Sequence, residues 1–399
     1  MLPIERRASA SLALIFALRM LGLFLVLPVF MLEARKYPGG DDPALVGLAM
    51  GIYGLTQGLL QIPFGMASDR FGRKRVIIIG LIIFAAGSLL AAAAPTLSWL
   101  LAGRALQGAG AVSAAVTALL ADLTRDAVRT KAMAMVGASI GLMFALSLVV
   151  APPLAAAIGL QGLFVLTGLL AVAGIGIVLW AVPPAPSMDA HPQASRLGGL
   201  AQVLRHPGLL RLNVGVFVLH AVQLAMWVAV PALLVQAGLA KSAHWQAYLP
   251  AVLLSFGFMG AVFAMERRGH LRTVFVASIG MILLVQLGFG LLVGQGVGSA
   301  ALWPLGVLLF VFFCGFNALE AIQPSLVTRL APAQARGAAL GVYNTLQSLG
   351  FFTGGALGGW LAKSWGAQGL FAACAAAMLV WLVVAWGMRA PPKVQPVAA

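Results

Sequence analysis

Carboxylates are what this sequence has least of. Ten Asp and Glu stand against 25 Lys and Arg in 399 residues, and the four types together make up only 9% of the chain. A soluble domain carries about 25%. So little charge excludes a water-facing globule, because no compact fold could hide a chain that is 61% hydrophobic. With a mean hydropathy of +1.01, the lipid bilayer must be the solvent. Cysteine is as scarce. Cys314 and Cys374 lie in apolar runs without metal-ligand spacing, which excludes a disulfide framework and leaves both as small core residues. The sequence has no Walker A pattern, so ATP is not the direct energy source. Nothing in it resembles a nucleophile triad or a metal site, and neither an enzyme nor a cofactor is expected. A formal charge of +15 would suggest nucleic acid for a soluble protein. Here it reflects the missing acids, and the basic residues fall in short loops rather than on one face, so nucleic acid is rejected as a partner.

What is present is a series of apolar runs long enough to cross a bilayer. In the first part they fall near residues 10–32, 44–64, 76–94, 97–121, 132–156 and 162–182. In the second they fall near 208–237, 245–265, 273–294, 300–324, 336–361 and 368–388. The first run lacks a small-residue cleavage site and reads as a retained helix. With the N-terminus inside, nineteen of the 25 Lys and Arg lie in cytoplasmic segments. Four (Arg35, Lys36, Lys241, Lys363) lie outside, and two (Arg19, Arg104) lie within runs. This bias predicts a bacterial-type inner-membrane protein with both termini in the cytoplasm. A polar, Pro- and Ser-containing stretch at 183–207 reads as a cytoplasmic linker between halves 1–182 and 208–399. Asp69, Arg70, Gly72 and Arg75 of the first half align with Glu266, Arg267, Gly269 and Arg272 of the second.

The most specific pattern is Gly65-x-x-x-Asp69-Arg70-x-Gly72-Arg73-Lys74-Arg75, between the second and third runs. Gly65 allows close helix approach, and Gly72 permits a tight turn. Asp69 lies at the membrane surface. A carboxylate there can face the positive end of another helix, worth about 0.3–1 kcal/mol exposed and up to about 2 partly buried. Arg73 has Asp122, at the end of the fourth run, as a candidate partner. The basic residues also serve as topology determinants.

Charge inside the runs is rare. Arg104 and Gln107 lie one turn apart in the fourth run, where an arginine costs about 2.5–3.5 kcal/mol unless it finds water or a partner. It could polarise a nearby acid or snorkel outward. Among the ten acids only Glu320 lies clearly inside a run, with Asn317 three residues before it, on the same face of a helix. A carboxylate in low dielectric can exchange protons near neutral pH, which makes Glu320 the leading proton-coupling candidate. The alternative is that it reaches cytoplasmic water. Arg19 and His220 sit near mid-membrane by residue count and are its candidate partners. Tyr53, Gln57 and Asn344 add polar positions for a central cavity.

The loop pattern matches motif A of the major facilitator superfamily in residues and in place. Arg104-Ala105-Leu106-Gln107-Gly108-Ala109-Gly110 resembles its motif B. The expected fold is an all-α membrane protein of the major facilitator type, with twelve transmembrane helices in two six-helix halves. Leu18-Arg19-Met20-Leu21-Gly22, Gly51-Ile52-Tyr53-Gly54-Leu55-Thr56-Gln57 and the Asn317/Glu320 pair resemble the YajR-type branch. The better-known form of that branch carries a further soluble C-terminal domain, for which this sequence has no counterpart.

The resemblance implies that Asp69 meets the start of helix eleven, near Gly337, as a cytoplasmic latch in the outward-open state. It also implies a monomeric, proton-driven exporter of a small, amphipathic or drug-like compound. The antiporter motif of helix five is degraded. Pro152 keeps its place, but glycine positions read Ala151, Ala155 and Ala156. In helix eleven, Gly354 and Gly355 occupy corresponding places. Both small-residue faces read as surfaces that pack or slide. The degraded motif keeps a proton-linked importer of a small metabolite as the alternative, and a non-transporting membrane sensor as a further one.

Overall fold

The computed structural model describes residues 1–184, 201–332 and 335–388. Most of the expected linker at 183–207 lies outside them. The described residues form helices and no strand. The first set is α1 (Pro3–Glu33), α2 (Pro43–Phe71), α3 (Arg73–Ala92), α4 (Leu97–Ala109), α5 (Ser113–Asp122) and α6 (Asp126–Trp180). The second is α7 (Pro207–Gln236), α8 (Trp245–Arg267), α9 (Leu271–Gln295), α10 (Leu302–Leu330) and α11 (Arg336–Trp386).

Local chemistry fixes where these helices begin and end. Asp42 caps α2 by accepting the Ala44 N–H at 2.9 Å, and Pro43 takes the first helical position. Ten helical segments among the described residues are long and apolar enough to cross a membrane, with α4 and α5 together forming one of them. Two of the helices, α6 and α11, have 55 and 51 residues. At about 1.5 Å per residue each is more than twice a hydrocarbon core of about 30 Å. Each is interrupted by a glycine outside helical geometry: Gly159 (φ 68, ψ −179) and Gly366 (φ 68, ψ −176). Only glycine adopts this backbone without strain. The two breaks fall in the gaps that the apolar runs leave near 157–161 and 362–367.

The same turn geometry recurs between the sets. Gly39 and Gly238 both have φ 88, and Gly72 and Gly269 have φ 98 and 93. A third break, at residues 110–112 between α4 and α5, interrupts what reads in the sequence as one run at 97–121.

Within the first set α1 packs along α6, α3 on α4 and α6, and α2 on α4. Within the second, α7 packs along α11, and α10 lies on α8 and α9. The sets meet mainly through α2 and α11. There the backbones touch. A methyl at Gly51 would sit 2.6 Å from the Phe352 carbonyl oxygen, and one at Gly355 would sit 2.6 Å from that of Gly47. Gly341, Ser348 and Gly355 follow one another at intervals of two turns and share this face of α11. Yet a methyl at Gly341 meets nothing within 4 Å, and one at Gly65 of α2 meets Ala114 of α5 rather than α11. The two helices therefore diverge toward the end that carries Arg70, Arg73, Lys74 and Arg75, called the basic end below. At the opposite end they converge, and Lys363 Nζ lies 2.7 Å from Asp42 Oδ2.

Candidate functional site

Arg19 on α1 is 1% exposed and is held by two neighbouring helices and the gap beside one of them. It donates to Tyr53 Oη (2.6 Å) and Gln57 Oε1 (2.9 Å) on α2, and to Ser113 Oγ (3.1 Å) on α5. A longer bond of 3.4 Å reaches the Gly110 carbonyl in the gap between α4 and α5. The helix break has a local consequence, since it leaves that carbonyl available to a side chain. The Phe84 ring lies 5.4 Å from the guanidinium. All these partners are neutral.

Arg104 is equally buried, so it does not snorkel. It donates to Gln107 Oε1 at 2.9 Å and to the Met50 carbonyl at 3.2 Å, with the Tyr53 ring 5.2 Å away. Gln107 in turn donates to Ser88 Oγ at 2.8 Å. The expectation that Arg104 polarises an acid is corrected: its partners are an amide and backbone carbonyls, and its charge is dispersed over α2 and α4.

The second set supplies the titratable pair. His220 Nε2 on α7 lies 3.3 Å from Glu320 Oε1 on α10 and 2.7 Å from Gln347 Nε2 on α11. His220 Nδ1 lies 2.8 Å from the Val216 carbonyl. A carbonyl only accepts, so Nδ1 carries a hydrogen in both charge states. Nε2 is then the atom that gains or loses the proton, and it faces a carboxylate. The imidazole is edged by Phe351 and Phe316 at 4.9 and 6.0 Å. Glu320 Oε1 is buried, while 32% of the side chain is exposed. Glu320 thus turns one oxygen toward the imidazole while part of its side chain reaches the surface. Arg19 does not face Glu320, because α2 and α5 hold it in the other set; the histidine takes that place. Asn317 turns to α8, donating to Ser255 Oγ at 2.9 Å.

One turn of α11 joins the two clusters. Gln57, an acceptor for Arg19, donates its amide to Ser348 Oγ at 3.0 Å. Ser348 donates to the Asn344 carbonyl at 3.0 Å, and its chain neighbour Gln347 reaches His220. The sequence reading singles out neither Ser348 nor Ser113. A serine inside an apolar helix commonly bonds to its own preceding turn, so its presence carries no signal of a long-range contact.

At the basic end Arg73 organises the loop pattern. It pairs with Asp69, donates from Nε to Asp122 Oδ2 at 2.9 Å and from Nη1 to Ser68 Oγ at 2.7 Å. Arg70 is exposed and lies 5.5 Å from the Phe71 ring. A methyl added to Gly337 meets nothing within 4 Å, so this position is open, while Ala335 and Ala339 beside it are buried. Gly72 makes the turn with φ 98. The small-residue faces divide differently. Ala151 packs with Leu25 and Val29 of α1, next to Pro152. A methyl at Gly354 would sit 2.8 Å from Ala221 Cα on α7. Gly355 touches the other set through the backbone of Gly47 and Gly51, and Pro152 lines a cavity shared with Lys241 and His244 of the second set.

A bundle of apolar helices with polar clusters meeting at its centre, closed at one end and parted at the other, has the architecture of a multi-pass membrane transporter. The chain belongs to the Major Facilitator Superfamily, whose model matches residues 11–355 and 265–399. It is similar to the inner membrane transport protein YajR of Escherichia coli (strain K12). The two are 42% identical over 396 residues, which cover 99% of this chain and 86% of that protein. It is 30% identical over 376 residues to the multidrug resistance protein MdtH of Aeromonas salmonicida (strain A449), covering 90% and 88% of the two chains. The crystal structure of an auto-inhibited POT family peptide transporter shares the fold, with a TM-score of 0.74 at 13% identity, over 98% of this chain and 99% of the other.

Proposed function

We propose that this transporter is a proton-driven antiporter that exports a small, amphipathic compound across a bacterial inner membrane. It works as a monomer, with twelve crossings in two six-helix halves and both termini at a cytoplasmic basic end. The twelve-crossing count takes α6 and α11 as two crossings each, divided at Gly159 and Gly366. The multidrug name of one relative supports export of a drug-like compound.

The observation that carries the proton step is the 3.3 Å approach of His220 Nε2 and Glu320 Oε1. In the form described here the α2–α11 interface is closed away from the basic end. Glu320, partly exposed, would then exchange its proton with cytoplasmic water. Losing the proton leaves the pair charged and favours binding of a substrate that competes for the same polar cluster. In the outward-open form α2 and α11 part at the opposite end, and the basic end closes with Asp69 against the start of α11 near Gly337. Substrate then leaves, a proton is taken up, and the halves rock back.

The test is proton movement in proteoliposomes that enclose a pH-sensitive dye, with an imposed gradient and a panel of amphipathic compounds. Antiport predicts that a substrate drives protons in the direction opposite to its own. Substrate movement indifferent to the proton gradient contradicts it. Proton and substrate moving together would establish the importer instead, a reading that the degraded motif around Pro152 favours.

A further inference from the structure

At the basic end, where the first turns of α1 and α3 meet the last turn of α6, lies a cavity of about 560 Å³. Arg7 Nε donates to the Ala181 carbonyl at 2.9 Å and its Nη2 to that of Trp180 at 3.0 Å. Lys74 Nζ donates to the next carbonyl, Val182, at 2.6 Å. Two cations thus converge on three consecutive carbonyls. A helix C-terminus offers only about half a negative charge to balance them.

The carboxylates described at this end of the first set are engaged elsewhere. Glu5 holds Arg125 through contacts of 2.7 and 3.2 Å. Asp69 and Asp122 both hold Arg73. Among the described side chains no carboxylate pairs with Arg7 or Lys74. The rim is apolar. Ile4 and Leu179 are exposed, and Trp180 is 80% exposed. An indole so placed at the end of a spanning helix marks the level of the membrane interface.

We propose that this cavity binds the phosphate headgroup of an anionic phospholipid, with Arg7 and Lys74 as its donors and Ile4, Leu179 and Trp180 against the acyl chains. Two adjacent cations without a carboxylate favour a headgroup of net negative charge over a zwitterionic one, whose own cation they would repel. The exposed apolar rim selects a lipid over a soluble phosphate. The site lies apart from the His220–Glu320 pair, so the proposal does not depend on proton coupling.

The experiment is native mass spectrometry of the full chain, released from mixed micelles of phosphatidylglycerol and phosphatidylcholine. The expected result is selective retention of one phosphatidylglycerol. Arg7→Ala/Lys74→Ala should weaken that retention about tenfold or more. Arg267→Ala/Arg268→Ala, which removes equal charge from the same end, should leave it unchanged. Equal retention of the two lipids by the unaltered protein overturns the proposal, whether or not the double variant folds. So does undiminished selectivity in a folded Arg7→Ala/Lys74→Ala protein. Inorganic phosphate that binds alone and displaces the lipid would assign the site to a soluble phosphate instead.

Discussion

His220 and Glu320 meet through Nε2 and Oε1 at 3.3 Å, and the same imidazole nitrogen faces Gln347 on α11 at 2.7 Å. A neutral Nε2 accepts the Gln347 N–H. A protonated one donates, and turns that contact from attractive to repulsive unless the amide reorients. The charge state of the pair is therefore felt on α11, the helix whose other face closes against α2. On the proposed function, proton and gate would be linked by one side chain.

On the proposed function, the α2–α11 contact sets which form is populated. Gly355→Ala places a methyl 2.6 Å from a backbone oxygen of Gly47, which cannot yield as a side chain could. Overpacking of this kind costs about 1–3 kcal/mol, enough to shift a two-state equilibrium about 5- to 150-fold. Distances between spin labels on the outer ends of α2 and α11 should lengthen in this variant. Gly341→Ala, which meets open space on the same face, should leave them unchanged.

Asp42 and Lys363 clasp that end from outside. The Lys363 ammonium, helped by the Ala44 N–H, holds the Asp42 carboxyl below its ordinary value, against a smaller effect of burial. The sign follows: a depressed carboxyl favours the closed end above about pH 4, its unpaired value, and this preference disappears as pH falls through the lower paired value. The contribution of this ion pair to closure should be flat between about pH 5 and 8. Asp42→Asn, which keeps the helix cap, should show at neutral pH the loosening that the unaltered protein shows only in strong acid. Both side chains are well exposed, so raised salt should mimic the substitution.

Arg19 needs a fork. Its guanidinium reaches acceptors on α2, on α5 and in the gap between α4 and α5 at once, which an ammonium on a flexible stem cannot match. Arg19→Lys should lose about 1.5–3 kcal/mol, read as a lower unfolding temperature in detergent. Tyr53→Phe should cost less, because the other acceptors remain.

Arg73 bridges Asp69 and Asp122 with unequal weight. Asp122 is more exposed than Asp69, so its coupling to Arg73 in a double-mutant cycle should be about 0.2–1 kcal/mol. The Asp69 coupling should be larger. Equal couplings would contradict this division.

The apolar runs make the membrane fold legible, and the gaps at Gly159 and Gly366 show because Gln161 in one and Lys363 and Ser364 in the other interrupt hydrophobicity there. The break at 110–112 does not show, since Gly108-Ala109-Gly110-Ala111-Val112 contains no polar residue. His220 and Glu320 stand out as titratable groups in apolar surroundings, but their approach depends on α7 and α10 being neighbours. Arg19 stands out for the same reason, and its neutral partners do not, because Tyr53, Gln57 and Ser113 lie on other helices. Ser348 is invisible for want of charge, though it joins the two clusters.

The central claim is that the His220–Glu320 pair carries the coupling proton. It is tested most directly by comparing two assays of a folded Glu320→Gln protein in proteoliposomes: exchange of substrate across the membrane without a gradient, and accumulation driven by a proton gradient. The account predicts that exchange persists while proton-driven accumulation is abolished, because rocking of the halves does not require the carboxylate but coupling does. Proton-driven accumulation at the unaltered rate would contradict it.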